Sequence, residues 1–117
     1  MKDVTWDDYV VRGQIDAIDT VRDVLGVESV HAIGYCVAGT TLAATLALLA
    51  ARGQAARVAT ATFFTAQVDF ADAGELSLFV DDEQLNLIRQ IGQDGYLDGR
   101  YMAATFNLLR GRDLIWN

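Results

Sequence analysis

The chain has 117 residues, of which 52% are apolar and 21% charged, a balance that fits one small globular domain or a piece of a larger one and excludes a disordered chain. Its net charge of −7 and isoelectric point near 4.4 come with no basic stripe, which disfavours nucleic-acid binding. One Cys and one His exclude an intrachain disulfide and a structural zinc site, and no metal is expected.

The first ten residues, MKDVTWDDYV, contain no apolar h-region, so no secretory leader is expected. Bulky Trp6 and Trp116 lie close to the ends, where domains usually fray, which leads us to expect a chain cut at both ends. Thr5 with Asp8 three positions on is an acidic capping box, and it predicts a helix from about Trp6. Val11, Ile15, Ile18, Val21 and Leu25 then fall on one stripe at helical spacing, closed by Gly26. The segment ESVHAIGY predicts a buried strand over about Ser29 to Ile33. Val37 to Arg52 is rich in Ala and Leu and ends at Gly53, which predicts a well-buried helix. RVATATFFT, residues 57–65, predicts a second buried strand.

Helix, strand, helix, strand in that order predicts an α/β architecture with parallel strands. Beyond Thr65, AQVDFADAG predicts a loop, and residues 82–92 and 99–109 predict helices punctuated by Gly92, Gly95 and Gly99. Residues 32–51 carry no charge and could just span a bilayer. Gly34, Gly39, Thr40, Thr41 and Thr45 interrupt that run, and a strand followed by a helix explains it better, so no transmembrane span is expected.

Gly34-Tyr35-Cys36-Val37-Ala38-Gly39 lies between the first strand and the apolar helix, the setting of a nucleophile elbow. In such a corner the nucleophile takes a strained backbone conformation, and its neighbours must be small because strand and helix pass close together. Gly34, Ala38 and Gly39 meet that demand. The helix N-terminus would favour a Cys36 thiolate, and the Val37 N–H is placed to donate to an oxyanion. A free Cys is also a common small core residue, so on the pattern alone both roles stay open.

His31, the single histidine, sits within the strand five residues before Cys36. Hydrolases of this kind bring the base after the nucleophile, on a late loop, so His31 is not expected to serve. Asp69 and Asp72 follow the second strand, where open α/β sheets bind ligands and where some enzymes place the triad acid. Both also read as ordinary loop residues.

Four segments together, TWDDYV, GYCVAGTTLAATLALLAARG, FFTAQVDFADAGELSLFVDDE and FNLLRGRDLIWN, resemble the central part of the polyhydroxyalkanoate synthases, the class I type especially. Members of that family have a lipase-like box with Cys in place of Ser, a DF-x-x-x-G-x-L motif after the next strand, and an N-D-L-x-W-N-like segment in a helical cap. The likeness runs through nearly the whole chain, in order. It implies a partial α/β-hydrolase core over residues 1–74 and the start of a mostly helical cap over 75–117. It also implies an acyltransferase in which Cys36 attacks (R)-3-hydroxyacyl-coenzyme A and the acyl group is extended into a polyester. No cofactor beyond the coenzyme A thioester is implied. The full enzyme is expected to be a cytoplasmic homodimer at polymer granules.

Ala38 departs from the family's usual glycine and is expected to keep the turn with slightly tighter packing. The resemblance puts the base His and the Asp beyond residue 117, and further core strands before residue 1, so the 117-residue chain alone is expected to be inactive and marginally stable. A cysteine-type hydrolase related to dienelactone hydrolase shares the elbow but would not carry DFADAGELSLFV or DLIWN. A non-catalytic remnant that binds a partner or granule surface through its apolar faces is the third reading.

Overall fold

The computed structural model describes residues 3–114, so Trp116 and Asn117 of the closing motif lie outside the described residues. The chain divides into two compact units, one over Val4–Phe70 and one from Ala71 onward. The first is α/β: a helix α1 over residues 6–25, strand β1 (Val30–Tyr35), helix α2 (Val37–Ala51), a 3₁₀ turn (Ala55–Arg57) and strand β2 (Val58–Phe64). β1 and β2 pair in parallel, with Ile33 opposite Thr62 and Tyr35 opposite Phe64. Two strands make up the whole sheet among the described residues.

α1 starts at the capping box. Asp8 N–H donates to Thr5 Oγ1 at 3.3 Å, and Thr5 N–H donates to Asp8 Oδ2 at 2.9 Å. The bond from the Thr5 backbone, then that from its hydroxyl, holds the Asp8 carboxyl below its usual range. A depressed pKa contributes stability that is present above the unfolded-chain value, about 3.9, and is lost as pH falls through the folded one. We therefore expect the first turn of α1 to fray on acidification below about pH 4. Protection of the Thr5 and Asp8 amides relative to the unfolded chain at each pH should fall in the parent chain and stay flat in Asp8→Asn.

The helix then departs from ideal spacing. Trp6–Asp8 is α-helical, Tyr9–Ile15 is π-helical, and Asp16–Leu25 is α-helical again. The π stretch, with hydrogen bonds from i to i+5, brings Val10 and Ile15 onto one core-facing line. This corrects the predicted stripe. Ile15 is buried as expected, but Val10 joins it from outside the pattern, while Val21 and Leu25 lie 45% and 66% exposed. A stripe drawn at 3.6 residues per turn goes out of phase across a π segment. The helix ends at Gly26, whose φ of 64° lies in the left-handed region that glycine adopts without strain.

The core of this unit gathers Val10, Ile15 and Leu49, with Ala44, Leu48 and Val58 packed around them. Asp19 in α1 accepts from Arg22 at 2.9 Å and from Arg57 at 2.6 Å, which ties the helix to the turn that leads into β2. α2 covers one face of β1, where Gly34 is buried and Val30 and Ala32 are half-buried. The opposite face is open: Ile33 is 69% and Tyr35 67% exposed, and Phe64 on β2 is exposed beside them. The strands are therefore not buried on both faces as their composition predicted, because a single helical layer covers a two-stranded sheet among the described residues of this unit. Each strand also starts or ends a residue or two from the predicted limits.

The second unit holds a 3₁₀ segment (Gly74–Phe79) and helices α3 (Asp82–Ile91) and α4 (Gly99–Leu114). Asp81 caps α3 by accepting from Gln84 N–H at 2.7 Å. In the first turn of α4, Arg100 makes a two-pronged contact with Asp98, just before the helix, at 3.0 and 2.8 Å. No helix among the described residues is long and apolar enough to cross a membrane.

Candidate functional site at the strand-to-helix corner

β1 hands over to α2 in a single residue. Cys36 takes φ 53° and ψ −129°, a conformation that costs a non-glycine residue about 1–3 kcal/mol. Three backbone bonds hold it there. Its N–H donates to the Phe64 carbonyl at 3.0 Å, and its carbonyl accepts from Gly39 N–H at 2.9 Å and Thr40 N–H at 3.2 Å. The side chain is a free, exposed thiol.

The crowding behind the corner is specific. A Cβ built on Gly34 would lie 2.5 Å from Gly39 Cα, and one built on Gly39 would lie 2.5 Å from Ala66 Cβ and 2.9 Å from the Gly34 carbonyl oxygen. Neither site tolerates a side chain. Ala38, by contrast, is exposed. The residue two positions after Cys36 is therefore not the one squeezed between strand and helix, and the tighter packing expected of alanine there is absent. Gly34 and Gly39 form the contact.

Val37 is the first residue of α2. Its N–H has no intrahelical acceptor and no other backbone acceptor among the described residues, so it is available to a ligand next to Cys36. The positive end of the α2 dipole lies at the same place. The loop after β2 forms a further wall. Thr65 has φ 46°, rare for a β-branched residue, Ala66 packs on Gly39, and the Gln67 carbonyl accepts from Thr40 Oγ1 at 2.6 Å. Nothing among the residues flags Thr65 in advance, since no propensity favours threonine in that region. Small residues after a strand end are the one signal that points to Ala66.

His31 lies on the open face of β1, where its Nδ1 is 2.7 Å from Thr60 Oγ1. Five residues of extended chain, about 16 Å, separate it from Cys36. Asp69 is an exposed residue of the loop after β2, and Asp72 is an exposed residue of the second unit. No group of three or more His, Cys, Asp or Glu suited to a metal occurs among the described residues.

Sequence reasoning missed Gln14. Its side-chain Nε2 donates to the Ala38 carbonyl at 3.1 Å, and its Oε1 accepts from Thr45 Oγ1 at 2.8 Å. A polar residue beside the apolar stripe of α1, facing a helix with little polar surface, was the available signal.

The chain matches no protein-family model. It is 49% identical over 112 residues to the poly(3-hydroxyalkanoate) polymerase subunit PhaC of Rhizobium meliloti, covering 95% of this chain and 18% of that protein. It is 45% identical over 117 residues to the poly(3-hydroxyalkanoate) polymerase of Methylorubrum extorquens, covering 99% of this chain and 19% of that one. To the PhaC subunit of Cupriavidus necator it is 40% identical over 119 residues, 97% of this chain and 20% of the relative. The chain thus spans about a fifth of the length of the curated relatives it matches.

Proposed function

We propose that this chain, a homologue of one segment of the poly(3-hydroxyalkanoate) polymerases, carries the acyl-accepting thiol of a polyester-forming acyltransferase. The observation that carries the reading is Cys36 itself: a strained residue at the end of a parallel strand, with an exposed sulfur and a free N–H beside it.

On this reading the Cys36 Sγ, after losing its proton to a base, attacks the thioester carbonyl of an (R)-3-hydroxyacyl-coenzyme A. The carbonyl π electrons move onto oxygen, and the Val37 N–H donates to that oxyanion. Collapse breaks the bond from carbon to the coenzyme A sulfur, coenzyme A leaves, and the acyl group stays on Cys36 as a thioester. The hydroxyl of another acyl unit then gives up its proton to a base and attacks that thioester, which forms the ester bond and frees the thiol. His31 sits about 16 Å away along the strand, too far to serve either step. We assign the base to a part of the full-length enzyme outside this segment. The reading carries with it an α/β-hydrolase core for residues 1–74, the start of a helical cap at 75–117, and a cytoplasmic, granule-associated homodimer for the full-length protein.

Intact-mass and peptide analysis after mixing with (R)-3-hydroxybutyryl-coenzyme A tests this. In a full-length polymerase carrying the segment, an acyl adduct is expected on the Cys36 peptide. The 117-residue chain alone is expected to show no catalytic release of coenzyme A. An adduct on another residue of the full-length protein, or turnover by the chain alone, would overturn the assignment.

A further inference from the structure

We infer that Gln14 is a positioning residue for the corner: its side-chain amide pins the first turn of α2 and so sets where the Val37 N–H points relative to Cys36. This rests on the reading of Cys36 as nucleophile. It extends that reading to an element, α1, that touches no substrate.

Gln14 lies in the π-helical stretch, next to Ile15 on the face that meets α2. Its amide can sit in one orientation only. The Ala38 carbonyl can only accept, so Nε2 must face it, at 3.1 Å. Oε1 then faces Thr45 Oγ1 at 2.8 Å, and the single Thr45 hydroxyl proton donates to it. The Thr41 carbonyl, 3.0 Å from the same hydroxyl, is already served by the Thr45 N–H within the helix. Thr45 is fully buried, so its end of the bridge is fixed by packing. In a helix carbonyls tilt toward the C-terminus and side chains toward the N-terminus, which lets one amide reach both Ala38 and Thr45, seven residues apart.

The bridge matters because Ala38 directly follows Val37. Among the described residues Gln14 is the one side chain outside α2 bonded to the Ala38 carbonyl. Fixing that carbonyl fixes the peptide planes of the turn from which the Val37 N–H projects. The π stretch aims the glutamine. Spacing of five residues puts Val10 and Ile15 together in the core and leaves Gln14 at the edge of that line, toward the start of α2.

Two variants probe the bridge without depending on one that fails to fold. Gln14→Glu keeps the shape and the acceptor for Thr45 but loses the donor, and Gln14→Met loses both. In a full-length polymerase carrying this segment, each is expected to lower kcat for (R)-3-hydroxybutyryl-coenzyme A about 10-fold with KM within about twofold. Thr45→Val is expected to cost a similar factor and to add little on top of Gln14→Met. In the same full-length polymerase, amide exchange of residues 37–42 should quicken about 10-fold while residues 46–51 stay unchanged. Unchanged exchange at 37–42, or equal acceleration along all of α2, overturns the inference, as does an unchanged kcat where Cys36→Ala is inactive. If Cys36→Ala retains turnover, the nucleophile reading fails by itself, and the exchange measurement still decides whether Gln14 orders the turn.

Discussion

Cys36→Ala in a full-length polymerase carrying this segment is expected to cut coenzyme A release by at least about 10⁴-fold, because the acyl group then has no atom to occupy between monomers. The loss should come without a change in fold. Cys36 is exposed, and its corner is held by backbone bonds to Phe64, Gly39 and Thr40 that an alanine can also make. Circular dichroism and urea unfolding of the variant should match the parent. Cys36→Ser separates nucleophilicity from shape, since a hydroxyl of nearly the same size is far less acidic than a thiol. It should fold equally well and lose most of the rate. Substantial turnover by Cys36→Ala would refute the proposal.

Gly34→Ala is expected to have the largest effect on stability. The added Cβ would stand 2.5 Å from Gly39 Cα and 3.1 Å from both Gly39 N and a Leu42 methyl, and backbone atoms cannot move aside cheaply. Overpacking of this kind costs about 3 kcal/mol or more, a large share of the stability of a small domain. Gly39→Ala meets Ala66 and the Gly34 carbonyl and should behave likewise. Ala38→Gly is the control. It sits at an exposed position in the first turn, and its cost should stay within about 1 kcal/mol. Urea midpoints of the three variants measure the contrast. Equal midpoints for Gly34→Ala and the parent would mean that strand and helix are not pressed together at the corner.

Much of this arrangement could be read from the residues. The α/β order, the capping box at Thr5 and Asp8, and helix α2 with its end near Gly53 follow from local chemistry that acts within a few residues. The π segment could not be read, because a surplus residue in a helix leaves no compositional mark. It becomes visible only when Val10 and Ile15 are found on the same side of α1. The pairing of Gly39 with Gly34 was half legible. Both glycines stood in the pattern, but which small residue meets the strand depends on the pitch of the first helical turn. Gln14 escaped notice because its partners, Ala38 and Thr45, are distant in sequence. The open face of the sheet was hidden by composition, since Ile33, Tyr35 and Phe64 look like interior residues whether or not a second layer covers them.

The backbone bonds and close contacts that hold residue 36 in its unusual conformation come from Gly34 through Ala66, all inside the unit formed by Val4–Phe70. The backbone conformation of Cys36 is therefore set within this unit. Such a corner can be inherited intact while the surrounding loops diverge, so the placement of an exposed thiol survives change in the parts around it.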